Sequence, residues 1–285
     1  MVEPDIALND RTTKRKDAGV LPLSRWGKNA WRLSALPMLA FFLIPVVVIF
    51  TRTTLARILA SLADPQVYEG LAVSLKTTLI SMVLILALGT PVAFLIGRFK
   101  FRGKSLVETL VDLPTVLPPS VAGLALLLAF GRNGAIGSIL ARWGITLAFT
   151  QAAVIMAQIF IASPYFIRSA SIGFGNIEAE YIQAAELDGA GPWQLFRYII
   201  LPMARYALLS GGVMSWARAL GEFGATIMFA GNFLGRTQTM PLAIYLGFES
   251  NLEAALTLSV ILVGISCCSL ILVRVITSRM SAQLE

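Results

Sequence analysis

Apolar residues along the chain come in long runs, not in strict alternation, and six runs are long enough to cross a bilayer. A spanning helix needs about 20 mainly apolar residues to cover roughly 30 Å of hydrocarbon. The runs are Leu33–Phe50, Leu71–Gly97, Leu106–Phe130, Leu147–Ile167, Tyr206–Ala230 and Ala254–Ile276. The third contains Asp112, and the fifth contains Arg218 and Glu222, so neither is purely apolar. The pattern predicts an all-α membrane protein with six transmembrane helices over residues 33–276. A polar, basic tail without apolar periodicity precedes them over residues 1–32, and a short tail follows over 277–285. Such a basic tail is expected to stay disordered beside the anionic inner leaflet. No internal repeat emerges, which argues against inverted-repeat transporter folds.

The basic residues between the runs set the orientation. The amino-terminal segment carries seven (Arg11, Lys14, Arg15, Lys16, Arg25, Lys28, Arg32) and the connection between runs two and three carries four (Arg98, Lys100, Arg102, Lys104). Arg168, Arg197 and Arg205 follow run four, and Arg274 and Arg279 lie at the end, making sixteen on one side. The opposite side has five: Arg52, Arg57, Arg132, Arg142 and Arg236. Lysine and arginine excess marks the cytoplasmic side, so both termini are expected in the cytoplasm of a multi-pass protein of the cytoplasmic (inner) membrane. Residues 1–32 are too long and mixed for the charged start of a cleaved signal, so the first run is expected to be retained.

Composition narrows the chemistry. Hydrophobic residues make up 56% of the chain and charged residues only 14%, where a soluble domain has nearer 25% charged. The net charge of +7 is spent on topology, so no nucleic acid is implied. There is no histidine, and the two cysteines, Cys267 and Cys268, are adjacent in an apolar run, so no metal site is indicated. No Gly-x-x-x-x-Gly-Lys-Ser/Thr phosphate cradle occurs. The chain is expected to bind no cofactor and to catalyse no reaction itself.

The longest cytoplasmic connection, residues 168–205, carries the most information. Residues Glu178 to Asp188 read as a short amphipathic helix, with Ile182, Ala185 and Leu187 apolar and Glu178, Glu180, Glu186 and Asp188 charged. Gly189 suits the left-handed conformation that ends a helix, and Gly191-Pro192 suits the start of another. Trp193, Leu195, Phe196 and Ile199 continue the apolar side, and Pro202 is expected to stop the segment before the fifth run.

The spacing in this connection resembles the EAA loop of ABC importer permeases: Glu-Ala-Ala, three residues, Gly, nine residues, Ile-x-Leu-Pro. Ala184, Ala185, Gly189, Ile199, Leu201 and Pro202 fall in register, while Gln183 replaces the usual Glu. The resemblance implies a type I (MetI-like) permease fold. It also implies ATPase coupling through Gln183, Ala184, Ala185, Glu186, Asp188, Gly189, Ile199, Leu201 and Pro202. The partners implied are two ATP-binding subunits that use ATP and Mg²⁺, a second copy of the permease as a homodimer, and an extracytoplasmic binding protein. The bland reading is an ordinary surface helix between spans.

A second resemblance lies in Leu117-Pro118-Pro119-Ser120-Val121-Ala122-Gly123, Gly221-Glu222-Phe223-Gly224-Ala225-Thr226, Gly231-Asn232 and Thr239 to Tyr245. These are similar to molybdate permeases, with variants in sulfate/thiosulfate and tungstate permeases. The substrate implied is a tetrahedral oxyanion, molybdate first. Pro114, Pro118 and Pro119 are expected to break the third span, and irregular backbone at membrane depth is tolerated where it lines a cavity or is covered by protein. Pro118, Pro119 and Ser120, with Arg218 and Glu222, are the pore or gate candidates. Arg218 and Glu222 are four apart and share a helix face. They either line the path or form a structural ion pair. Asp112 either has a buried partner or lies near the inner surface beside Lys104. Two readings of other kinds remain: an ion-coupled secondary carrier or channel acting alone, and a purely structural membrane subunit.

Overall fold

A computed structural model describes the backbone of residues 25–281 and the side chains of residues 33–278. Residues 1–24 of the expected basic tail, and 282–285 at the other end, lie outside the described residues. All regular elements among the described residues are helical. The chain divides into two units. The first, ending at Val48, holds most of α1 (Arg25–Thr51), which begins at Arg25 and not at Leu33.

The second unit holds the rest. A short helix α2 (Leu55–Ser61), capped by Thr54, packs on the last helix. The 34-residue α3 (Pro65–Arg98) starts with proline in its first turn and the Asp64 carboxylate accepting the Gln66 N–H at 2.8 Å. Then come α4 (Lys104–Val116), α5 (Pro119–Phe130), α6 (Gly137–Arg142) and α7 (Gln151–Gly175). The chain continues through α8 (Ala179–Leu187), α9 (Pro192–Leu195), a π-helical turn Phe196–Ile200 and α10 (Leu201–Leu220). It ends with α11 (Gly224–Ala230), α12 (Met240–Ser250) and α13 (Leu252–Ser281).

Four described helices, α1, α3, α7 and α13, are each long and apolar enough to cross a bilayer. The pair α4–α5, bent by 115°, makes a fifth candidate if it counts as one span. Two apolar runs are therefore not single rods. The third breaks at Leu117-Pro118, where both residues are extended because each precedes a proline. Pro114 does not break it, lying buried inside α4. The fifth stops at Leu220 and restarts at Gly224. Conversely, α7 runs past the expected boundary at Ile167 to Gly175, so Arg168 is inside a helix and not in a loop.

The centre is a seam of α3, α7 and α10, each packed on the other two. Its apolar filling includes Ile85, Phe166, Phe174 and Ile200, all buried. Polar side chains tie the three together. Gln158 on α7 donates to Thr77 Oγ1 at 3.1 Å and accepts from Ser81 at 2.8 Å, both on α3. Ser215 on α10 donates to the Ala162 carbonyl, Ser169 on α7 to that of Ala207, and the Trp216 indole to Thr78. In lipid there is no hydrophobic force between helices, so small residues and such hydrogen bonds supply the cohesion.

Candidate functional site

The amphipathic connection forms the helix–turn–helix expected of it. Gly189 has φ +85°. The Ala190 N–H donates to the Ala185 carbonyl at 2.9 Å and the Gly189 N–H to that of Glu186 at 3.0 Å, a Schellman closure of α8. One residue later Gly191 opens α9, its N–H donating to Gln194 Oε1 at 2.8 Å with Pro192 in the first turn. The inner side of this element is anchored. Leu195 is buried, and Ile182 and Phe196 pack on the central core. Phe196 meets Phe94 edge to face, and Arg98 at the end of α3 donates to the Ile177 carbonyl.

The outer side is open. Leu187 is 89% exposed and Trp193 67%, with Tyr181 and Tyr198 exposed beside them. Leu187 thus makes no internal apolar contact of the kind its helical spacing suggests. Gln183, Ala184, Glu186, Asp188, Gly189, Leu201 and Pro202 are exposed too, whereas Ala185 and Ile199 are half-buried. A cavity of about 610 Å³ lies at the root of the element, lined by Gly173, Ile177, Tyr198, Pro202 and Tyr206 among others.

Pro202 does not stop the segment. The chain is helical without interruption from Pro192 to Leu220, because the turn at Phe196–Ile200 widens to a π-helix. The Leu201 N–H bonds to the Phe196 carbonyl, five residues back. A proline one residue later has no N–H to offer and its ring crowds the carbonyl four back; it is tolerated here near the start of α10.

The pore candidates come together at two helix breaks. Pro118, Pro119 and Ser120 form the exposed elbow between α4 and α5. The second break is Gly221-Glu222-Phe223. Here Glu222 is 1% exposed: Oε2 lies 2.9 Å from Nη1 of Arg218, and Oε1 accepts the Ala225 N–H at 2.7 Å. Its carboxylate therefore satisfies an orphan donor at the start of α11 while neutralising a cation. The breaks touch through glycines. A Cβ on Gly224 would lie 2.7 Å from Pro119 Cβ, and one on Gly123 would lie 2.6 Å from the Ala225 carbonyl oxygen.

One contact was not readable from the sequence. Asp112 on α4 pairs with Arg168 on α7: Nε donates to Oδ1 at 2.6 Å and Nη2 to Oδ2. No sequence signal links residues 56 apart in this way: Asp112 reads as either partnered or near the inner surface beside Lys104, and Arg168 as part of the connection after run four. Among the described residues, no three His, Cys, Asp or Glu side chains cluster as metal ligands.

Comparison with known proteins bears on this arrangement. Residues 89–282 match the family described as binding-protein-dependent transport system inner membrane component. The molybdenum transport system permease protein of Mycobacterium tuberculosis is 40% identical, covering 82% of this chain and 89% of that one. The sulfate transport system permease protein of Escherichia coli is 36% identical over 82% of this chain and 80% of its own. In fold, the chain is similar to one in a bacterial alginate ABC transporter (TM-score 0.66, 18% identity, covering 90% of this chain and 96% of that one). It is also similar to one in the MetNI methionine ABC transporter (TM-score 0.57, 20% identity, covering 74% and 95%). With the match spanning more than half of its residues, this chain belongs to the family of binding-protein-dependent transport system inner membrane components, the permeases of ABC importers.

Proposed function

We propose that this chain carries molybdate into the cell as the membrane-spanning half of an ATP-driven importer. The observation that carries the reading is the loop from Gln183 to Pro202, whose EAA spacing coincides with an element anchored on its inner side and bare on its outer side. Substrate class follows the 40% identical molybdenum permease, while the 36% identical sulfate permease keeps sulfate as the second reading.

In this reading α1, α3, α4–α5, α7, α10–α11 and α13 are six spans, and both termini are cytoplasmic. The excess of basic residues on the amino-terminal side supports that orientation. Two copies of the chain enclose the path, two ATP-binding subunits using ATP and Mg²⁺ dock on the exposed Leu187–Trp193 surface, and an extracytoplasmic binding protein delivers the anion. Closure of the ATPases moves the coupling element between two packed arrangements, and the two helix breaks open or shut.

The test is uptake of labelled molybdate into proteoliposomes containing the chain, its cognate ATPase and its binding protein, with and without internal ATP. ATP-dependent uptake blocked by excess tungstate but not by sulfate is expected. Sulfate uptake without molybdate uptake would move the chain to the sulfate reading. Uptake that ignores ATP would turn it into a carrier or channel.

A further inference from the structure

Arg218 and Glu222 form a closed ion pair, and a more open one lies between Arg168 and Asp112. Side-chain exposure is 28% for Arg218 and 1% for Glu222, against 46% for Arg168 and 34% for Asp112. Glu222 is not free to leave its arginine, since its other oxygen holds the start of α11. Among the described residues, the Asp112 carboxylate accepts from Arg168 alone.

Position adds a second argument. Arg168 lies seven residues before the end of α7 at Gly175, about 10 Å along the helix, and Asp112 lies eight residues after Lys104, about 12 Å along α4. Both are well inside helices, at a matching distance from the ends that carry the basic loops. The pair is half-exposed, and in a membrane-spanning chain charged groups face water or protein, not hydrocarbon. The contact is also bidentate, with two parallel N–H donors of one guanidinium on two oxygens of one anion. That fork is equally suited to two oxygens of a tetrahedral oxyanion. The pair is half-exposed and so partly screened by solvent, and an oxyanion dianion brings twice the charge of the carboxylate it would replace.

We propose that Arg168 is an oxyanion-contacting residue on the cytoplasmic side of the path, and that Asp112 occupies its fork until the transported dianion displaces it. The returning carboxylate then competes the dianion off, so the site passes the anion on and does not hold it. Because Asp112 is on the α4 arm of the elbow, displacement also removes one polar tie between that arm and α7, which keep their apolar packing through Val107 and Val111. The inference rests on the oxyanion-import reading above and deepens it.

The experiment measures ATP-dependent molybdate uptake by complete transporter in proteoliposomes loaded with increasing internal molybdate, comparing the parent with Asp112→Asn and Arg168→Gln. Freed from its carboxylate, Arg168 in Asp112→Asn should bind internal anion more tightly, and the internal concentration that halves uptake should fall roughly two- to fivefold. Arg168→Gln should slow uptake and lose that inhibition. A second arm needs no transport. With Cys267 and Cys268 replaced by serine, molybdate should slow labelling of the thiol introduced by Asp112→Cys by a charged thiosulfonate, and chloride at equal ionic strength should not. A mere strut between α4 and α7 predicts unchanged internal inhibition in Asp112→Asn and no protection of the thiol, and either result overturns the proposal. If the parent imports sulfate instead, both arms are run with sulfate. If the parent imports no oxyanion, the import reading falls and this inference with it, whereas import with unchanged Asp112→Asn removes this inference alone.

Discussion

Replacing Glu222 by glutamine separates its two tasks. The amide oxygen can still accept the Ala225 N–H, but the charge facing Arg218 is gone, leaving an arginine that is only 28% exposed without its counter-ion. Removing one partner of a buried pair costs about 3–5 kcal/mol, and the partial exposure of Arg218 reduces this to about 2–4 kcal/mol. Glu222→Ala also orphans the Ala225 N–H, adding about 1 kcal/mol. Because a buried ion pair offers little over neutral groups of similar volume, Arg218→Met combined with Glu222→Gln should regain more than half of the single-variant loss. The assay is unfolding of the purified permease in mixed micelles by titration with sodium dodecyl sulfate, followed by tryptophan fluorescence. If Glu222→Gln is as stable as the parent, or if the double variant is no better than the single, the account of Glu222 as a neutralising cap fails.

Two further substitutions test the loop and the elbow. Gly189→Val places a β-branched residue at φ +85°, a strain of about 1–2 kcal/mol at an exposed site, so membrane insertion should survive while ATP hydrolysis is no longer stimulated by the loaded binding protein. An ATPase assay on the reconstituted complex reads this. Gly224→Ala forces a methyl to within 2.7 Å of Pro119 Cβ and should cost about 1–3 kcal/mol in the same detergent titration, with uptake falling alongside.

Much of the helical layout was legible because lipid imposes long apolar runs, and the helix–turn–helix over α8 and α9 was legible because Gly189, Gly191 and Pro192 are backbone signals that act locally. The break at Leu117-Pro118 was announced by consecutive prolines. The break after Leu220 was not: Gly221 and Gly224 are weak punctuation, and what stabilises the restart is the Glu222 carboxylate folding back on Ala225. The end of α7 was misplaced because a charge reads as the edge of a span. Arg168 stays within the helix since Asp112, brought by a different helix, neutralises it. Pro202 misled for a related reason, as a widened turn can carry a helix through a residue that ordinarily ends one. Each miss turns on a contact or a helix geometry that single-residue propensity does not encode.

The unbroken helical run from Pro192 to Leu220 has a mechanical consequence. It is roughly 40 Å long, and its irregular part, the widened turn Phe196–Ile200 and Pro202, lies near its start, leaving α10 as a regular rod beyond. On the proposed reading, a push at Trp193 passes through the widened turn and along α10 to Gly221, beside the contact of Gly224 with Pro119. Compliance then sits at both ends of α10, so the proposed docking surface and the helix breaks share one stiff rod between two soft ends.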